Sequence, residues 1–148
     1  MSVTGPTADA RPQPLQASEF SFWTEMRTRN RDTDQFGHVN HAAMASLLEE
    51  SRIDLVFGPQ MDGETDHQDL LIAQLTMNFH KELRAPGAVR VGARVLAMGS
   101  SSLRIEQGIF QEEVCVASAL AVCVLIAKAT RRPDPISEAA RSRFEAAG

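Results

Sequence analysis

The sequence predicts an α+β domain in which an antiparallel sheet of about five strands wraps around one long central helix. Three observations predict it: one strand candidate comes first, one helical pattern follows Asn40, and the remaining strand candidates come after that helix. No second crossover helix separates the later strands, and parallel strands would need one at each step. This order therefore favours an antiparallel meander over a doubly wound parallel sheet.

Length and composition are those of one ordinary globular domain. The chain has 148 residues, 43% of them hydrophobic and 23% charged, with a formal net charge of −4. This is long enough to bury a core. The negative charge gives no general reason to bind nucleic acid or an anionic membrane. Residues 1–18 contain three prolines and no periodic apolar face. They are predicted to be a disordered tail, with the folded domain at 19–135.

The first elements lead from a strand into the helix. Phe20–Arg29 alternates loosely, which predicts a strand. Asn40 is a favourable N-cap residue, because its side chain can accept from N–H groups one turn ahead. Apolar residues with helical spacing follow, Ile53 among them, and Gly58 with Pro59 supplies the stop. The pattern predicts a helix of about four turns.

The second half of the chain has the pattern of a meander, in which turn signals separate the strand candidates. The last candidate is apolar almost throughout. Its valine, isoleucine and cysteine content favours a central strand buried on both faces over a buried helix. A C-terminal extension, 136–148, follows and is predicted to include a short helix. The strand candidates are Leu70–Leu83, Val89–Met98, Leu103–Gln111 and Val114–Ala127.

The two cysteines predict no disulfide framework. Cys115 and Cys123 are eight positions apart. In one strand they would lie about 26 Å apart, too far to pair with each other. A cytoplasmic location fits this best, because the cytoplasm is reducing. The N-terminus has no apolar region typical of a secretory signal, and the apolar stretch Val114–Ala127 is too short for an ordinary membrane span.

Residues 32–43 carry the most informative pattern of the chain. Asp34 lies three residues before Gly37, and the predicted helix begins just after Asn40. A carboxylate thus sits on a glycine-containing turn and faces a helix N-terminus, where free N–H groups carry partial positive charge. Such N–H groups can polarise a carbonyl oxygen while the carboxylate attacks its carbon or activates a water. Gly37 can adopt a positive φ and let the backbone pass close to a ligand.

This pattern resembles the signature of hot-dog-fold acyl-CoA thioesterases, within the 4-hydroxybenzoyl-CoA thioesterase-like superfamily. The resemblance rests on the segment Asp34–Ala42, which reads D-x-x-G-H-V-N-H-A, and on the weaker segment Leu48–Arg52. It covers residues 20–135, most of the chain. It implies a hot-dog fold, an acyl-CoA substrate, and neither metal nor cofactor, because CoA is part of the substrate. It also implies a homodimer or homotetramer with active sites between subunits.

The resemblance implies roles for the residues around this turn. Asp34 is the catalytic carboxylate, although a turn aspartate bonded to its own backbone has the same local pattern. His41 presents its backbone N–H to the thioester carbonyl. His38 orients the carboxylate, holds a water or caps the turn. Glu49 faces the acyl pocket, pairs with Arg52 or is solvated. The predicted catalytic set is Asp34, Gly37, His38, His41 and Glu49.

Binding of the CoA phosphates needs local basic residues, because CoA is polyanionic. Arg84 is predicted for this role, and Ser101 and Ser102 resemble the family's turn near the pantetheine or nucleotide. Each has an ordinary alternative, because exposed arginines and serine turns are common. Asp32 is predicted to have a turn or salt-bridge role. Further basic candidates are Lys81, Arg90, Arg94 and Arg104.

The function predicted from the sequence is hydrolysis of an acyl-CoA to a carboxylic acid and free CoA. The carboxylate acts either as a general base or as a covalent nucleophile, and the sequence leaves both routes open. A hot-dog hydratase or dehydratase and a non-catalytic acyl-ligand binding protein are the alternatives. An acid directly ahead of a Gly-His-Val-Asn turn favours hydrolysis over the first alternative, and an intact Asp34 argues against the second.

Overall fold

The computed structural model describes residues 12–148, which form one antiparallel sheet, two α-helices and short 3-10 turns. The elements are β1 (Phe22–Thr28), α1 (His41–Phe57), β2 (Gln68–Phe79), β3 (Gly87–Met98), β4 (Ser102–Gln111), β5 (Val114–Ala127) and α2 (Glu138–Ala146). The strands join in the spatial order β1-β3-β4-β5-β2. The predicted hot-dog architecture is confirmed. No helix of this part of the chain is long and apolar enough to cross a membrane.

Helix α1 begins and ends at the residues that the sequence predicts. The Asn40 side chain accepts a hydrogen bond from the backbone N–H of Ala43 at 2.8 Å. At the other end the N–H of Gly58 closes the last helical turn at 2.9 Å, and Pro59 prevents a further one. The cap places the first turn of α1 directly after the loop that carries Asp34.

The buried face of α1 differs from the predicted face at one position. The spacing predicts Ile53 on the apolar face, but its side chain is 46% exposed, whereas Arg52 is 4% exposed. Leu48 and Leu55 are fully buried. With about 100° between successive residues, Arg52 lies within their stripe and Ile53 does not. A charged group therefore enters the core where an aliphatic one was expected.

Strand β5 has the predicted bounds and lies inside the sheet, paired with β4 on one side and β2 on the other. Its small residues Ala119 and Ala121 are buried beneath the helical layer. On the opposite face Leu120, Val122 and Val124 are only half-buried. In a single chain no described element fully covers the outer face from Leu120 to Val124, whereas Ile126 is buried. The prediction of burial on both faces includes cover by another subunit, so it stays a prediction there.

Strand β2 lies at the edge of the sheet and leaves apolar side chains exposed. Leu71, Ile72 and Phe79 are 45%, 49% and 54% exposed. Helix α1 packs mainly against β1, β3 and β4, so it does not cover this edge. The unpaired N–H and C=O groups of such an edge can pair with another chain.

Strand β2 also ends earlier than predicted. The pattern predicts Leu70–Leu83, and the strand spans Gln68–Phe79. After it, the N–H groups of His80 and Lys81 both donate to the carbonyl of Val116, at 2.8 and 3.1 Å. Two donors on one acceptor interrupt the ladder, so the following residues form a loop before β3.

The C-terminal extension is part of the hydrophobic core. Ala140 and Phe144 of α2 are buried and pack in one cluster with Leu55 and Val56 of α1. Ser137 caps α2 by accepting from the N–H of Ala140 at 3.1 Å. The predicted short helix is therefore present, and it packs against β3 and the 3-10 turn Pro59–Met61 that follows α1.

The predicted tail, 1–18, is only partly described, and residues 1–11 lie outside the described residues. Leu15 and Ala17 pack against a buried cluster of Phe20, Phe110 and Cys115. The packed part of the chain therefore begins before residue 19.

Both cysteines are free, and both are buried. Burial raises the pKa of the Cys115 and Cys123 thiols above its ordinary value. Both side chains therefore favour the neutral thiol and pack as small apolar groups.

Candidate active site

The loop between β1 and α1 folds back on itself around a tight turn. Thr33 and Val39 form an isolated antiparallel bridge across its base. Inside the bridge, the N–H of Asp34 donates to the His38 carbonyl at 2.8 Å, and the N–H of Gly37 donates to the Asp34 carbonyl at 3.1 Å. Gly37 has the predicted positive φ, 84°, which glycine adopts without strain.

The Asp34 carboxylate uses one oxygen to hold this turn. Oδ1 accepts from the N–H of Phe36 at 2.8 Å and from the N–H of His38 at 3.4 Å. Among residues 12–148 no donor engages Oδ2. Asp34 is thus a turn aspartate, and it also presents an unbonded carboxylate oxygen. The residue is exposed, so this oxygen can reach a substrate or a water.

The first turn of α1 faces the same loop. The N–H and the side-chain amide of Asn40 both donate to the Asp32 carbonyl, at 3.0 and 3.1 Å. The Asp32 carboxylate accepts from the N–H of Arg29 at 2.7 Å, which is a turn role of the predicted kind. Within the described residues, the N–H groups of His41 and Ala42 have no acceptor. They form the positive end of α1 and can receive a carbonyl oxygen.

The His38 imidazole pairs with a carboxylate of a second loop. Its Nε2 lies 3.0 Å from Oε2 of Glu82, between β2 and β3. A backbone hydrogen bond of 3.1 Å, from the Val39 N–H to the Leu83 carbonyl, joins the same two loops. The His38 ring therefore braces the turn from outside and does not bond to the Asp34 carboxylate. Nothing in the sequence marks Glu82, because the pair spans more than forty positions and no motif.

Buried polar side chains hold this second loop in turn. The Gln111 side chain accepts from the N–H of Arg84 and donates to its carbonyl, both at 3.0 Å. The hydroxyl of Thr28 donates to the same carbonyl at 2.7 Å. Both Gln111 and Thr28 are buried in the sheet. These hydrogen bonds anchor the loop that carries Glu82 to the sheet at Arg84, and Glu82 lies within reach of His38.

Glu49 lies apart from the turn. It is exposed on α1, and about 12 Å of helix separates it from His41. Arg52, its predicted partner, instead donates to Oε1 of Gln107 at 3.0 Å, and Gln107 donates to the Leu48 carbonyl at 2.9 Å. Burial lowers the pKa of the Arg52 guanidinium below its ordinary value. One chain alone therefore does not bring Glu49 to the turn, and its catalytic role stays a prediction.

The predicted CoA-binding residues are spread over both ends of the sheet. Arg84 lies at the same end as the turn, because β3 begins there. Ser101 and Ser102 follow the other end of β3, on the order of 35 Å away. Their roles stay predictions. Three of the arginines considered already have acidic partners: Arg84–Glu112 at 2.9 Å, Arg90–Glu113 at 2.5 Å and Arg94–Glu106 at 2.6 Å.

A family model described as the thioesterase-like superfamily matches residues 28–144. The matched segment contains the turn, α1, the strands β2 to β5 and most of α2. The end of β1 and the whole candidate site fall inside it.

Individual proteins are also similar to this chain. The uncharacterized protein YsmA of Bacillus subtilis (strain 168) is 27% identical over 88 residues, which are 60% of this chain and 60% of that protein. A thioesterase from Thermus thermophilus, solved with coenzyme A and Zn, is 30% identical with a TM-score of 0.73, over 86% of this chain and 94% of that chain. The PA5185 protein of Pseudomonas aeruginosa strain PAO1 has a TM-score of 0.82 at 21% identity, over 92% of this chain and 96% of that one. This last likeness shows the fold alone.

Proposed function

The chain belongs to the thioesterase-like superfamily, and from this membership we propose that it hydrolyses acyl-CoA thioesters to a carboxylic acid and free CoA. One observation carries the proposal: the unbonded Asp34 Oδ2 and the unbonded N–H groups of His41 and Ala42 belong to one turn and the helix that follows it. A carboxylate can activate or deliver the nucleophile, and N–H donors can stabilise the oxyanion, so the two together suit attack on a thioester carbonyl.

The Asp34 carboxylate supplies the attack. In one route it takes a proton from a water, whose oxygen adds to the carbonyl carbon. In the other route Oδ2 adds to that carbon itself, and a water later hydrolyses the resulting anhydride. The turn supports both routes, because it holds Oδ1 and leaves Oδ2 unbonded.

The helix N-terminus stabilises the charge that the attack creates. Negative charge develops on the carbonyl oxygen as the new bond forms, and the N–H groups of His41 and Ala42 donate to it. When the carbonyl re-forms, the C–S bond breaks and its electron pair leaves with sulfur. CoA departs as a thiolate, which needs no strong acid because a thiol is itself fairly acidic.

The proposed substrate carrier is CoA. The family supports a thioester substrate, and the related Thermus thermophilus thioesterase was solved with coenzyme A. The free, buried Cys115 and Cys123 fit a reducing compartment, so the proposed location is the cytoplasm.

The proposed active unit is a homo-oligomer, a dimer or a tetramer. Asp34 is exposed in a single chain, whereas charge stabilisation in a hydrolytic site gains from exclusion of bulk water. The exposed apolar side chains of β2, including Ile72 and Phe79, give a second copy a surface to cover. Pairing of two β2 edges would also satisfy their backbone groups.

A thiol-release assay on a panel of acyl-CoA thioesters tests the proposal. A hydrolase releases one thiol for each carboxylic acid formed. A hydratase or dehydratase changes the acyl chain and leaves the thioester intact, and a binding protein does neither. Acyl-chain modification without thiol release, or binding of acyl-CoA without any turnover, would replace the proposed function with one of these alternatives.

A further inference from the structure

A cavity lies beside the first half of α1, on the side that faces the end of β1. Its volume is about 780 Å³. Arg27, Arg29 and Arg31 line it from the end of β1 and the loop that follows, and Ala43 and Leu47 line it from α1. One wall therefore carries the arginines, and the wall formed by α1 is mixed, with Ser46 and Glu50 beside Ala43 and Leu47.

The three arginines form no ion pair within the described residues, unlike Arg84, Arg90 and Arg94. Within residues 12–148, no acceptor or carboxylate engages the guanidinium groups of Arg27, Arg29 or Arg31. All three residues are exposed. By contrast, Arg90 and Arg94 pair with Glu113 and Glu106 and lie over aromatic rings. The three arginines therefore keep their hydrogen-bonding capacity for a ligand.

Two carboxylates also line this cavity, and they leave it with a cationic excess. The Asp32 carboxylate is turned to the backbone N–H of Arg29 at 2.7 Å. Glu50 lies on α1, exposed, and forms no ion pair within the part of the chain that the structure describes. Three positive groups thus face two negative ones, one of which already has a partner.

The cavity adjoins the candidate active site. Arg31 precedes Asp34 by three residues, so their Cα atoms are at most about 11 Å apart. Ala43 belongs to the first turn of α1, two residues after His41. A ligand that reaches the carbonyl-binding end of α1 can therefore extend along the helix to the arginines.

We propose that Arg27, Arg29 and Arg31 bind phosphate groups of the nucleotide part of CoA. This inference rests on the proposed function, because it assigns the carrier end of the same substrate. Guanidinium groups offer forked N–H donors that match phosphate oxygens. We call this cavity the groove. The chain has a net charge of −4, but the groove has a local excess of positive charge and can therefore hold a polyanion.

A binding experiment tests the groove without turnover. Calorimetry measures the Kd of free CoA for the wild-type protein and for the variants Arg29→Gln, Arg31→Gln and the double variant. Each single change is expected to raise the Kd about three- to tenfold, and the double variant further. Arg29→Lys keeps the charge and is expected to lose less than Arg29→Gln. Arg132→Gln, an exposed arginine without a side-chain partner among the described residues, is the matched control.

A kinetic comparison then identifies the part of CoA that the groove holds. The substrates are an acyl-CoA, the same acyl group on phosphopantetheine, and the same group on N-acetylcysteamine, which has no phosphate. The double variant is expected to lose kcat/KM on acyl-CoA and to match wild type on the phosphate-free thioester. An equal loss on acyl-phosphopantetheine would overturn the nucleotide assignment, because it would place the contact at the pantetheine phosphate.

Two results would overturn the proposal that the groove binds phosphate groups of CoA. One is an unchanged Kd for CoA in the double variant, and the other is an equal loss of kcat/KM on the phosphate-free thioester. Failure of the proposed function is distinguishable from both. In that case the wild-type protein hydrolyses none of the thioesters, and the Kd of CoA still reports on the arginines.

Discussion

The His38 imidazole lies 3.0 Å from the Glu82 carboxylate, and this pair joins the loop that carries Asp34 to the loop between β2 and β3. The turn itself is closed by the bond between the Asp34 N–H and the His38 carbonyl. His38 therefore belongs to two networks, one through its backbone and one through its ring. We therefore propose a positioning role for its ring, which Glu82 would share.

Glu82→Gln is expected to lower kcat modestly, because the brace on His38 weakens while Asp34 and the helix N-terminus stay in place. Both partners are substantially exposed, so their coupling is worth at most about 1 kcal/mol. A double-mutant cycle with His38→Asn and Glu82→Gln, read out in kcat/KM, measures it. Strictly additive losses would show that the two side chains act independently.

His41→Pro and His41→Ala separate the backbone of His41 from its ring. His41 is the first residue of α1, where proline is tolerated, and Asn40 before it has an extended ψ of 158° that suits a following proline. Proline removes the proposed N–H donor, and alanine removes only the imidazole. Loss of one such donor costs about 3 kcal/mol of transition-state stabilisation, or roughly a hundredfold in rate.

The measurement for this pair is kcat on one acyl-CoA substrate, with the melting temperature as the folding control. His41→Ala is expected to remain active, and His41→Pro to be folded and nearly inactive. A folded, inactive His41→Ala protein would show that the imidazole, and not the backbone N–H, is needed for turnover.

Gly37→Val is expected to lower both stability and activity, and Gly37→Asn to lower them less. The reason is the backbone conformation: φ is 84°, where a β-branched residue is strained and asparagine is tolerated better. Crowding by the side chain is not the cause within the described chain, because a Cβ on Gly37 would have no heavy atom within 4 Å. Urea unfolding should show a loss of about 1–3 kcal/mol for the valine variant. Equal unfolding free energies for the two variants would remove the conformational explanation.

The protein is expected to be a dimer or tetramer by light scattering at micromolar concentration. The double variant Ile72→Lys/Phe79→Lys places charges on the exposed apolar side of β2 and is expected to reduce the mass and the activity together. Leu96→Lys changes a similarly exposed apolar residue on β3 and serves as the control. A monomeric wild-type protein with full activity would contradict the proposed assembly.

The sequence predicts the elements best where one local interaction decides them. The bounds of α1 follow from the Asn40 cap and from Gly58 with Pro59, and those of β5 follow from an unbroken apolar run. The predictions from sequence are wrong where contacts between residues distant in sequence decide the structure. Strand β2 ends early because Val116, on another strand, accepts two donors. Arg52 replaces Ile53 in the core because Gln107 offers it an acceptor across the helix–sheet interface.

The candidate site shows the same division. The turn around Asp34 is predictable, because its acid, glycine and cap, Asp34, Gly37 and Asn40, lie within seven residues. The partner of His38 is not, because Glu82 is distant in sequence and marked by no motif. The arginines of the groove have the alternation of an ordinary exposed strand end. Their lack of acidic partners in the structure distinguishes them from Arg84 and Arg90.

The Asp34→Asn variant is the most direct test of the proposed hydrolysis. Asparagine can still accept at Oδ1 from the turn N–H groups, so the fold and melting temperature are expected to stay close to wild type. The control variant Asp54→Asn is expected to keep its melting temperature as well. The amide is a poor base and nucleophile, so thiol release from acyl-CoA is expected to fall about a hundredfold or more. Thiol release at the wild-type rate by folded Asp34→Asn protein would show that another group performs the attack.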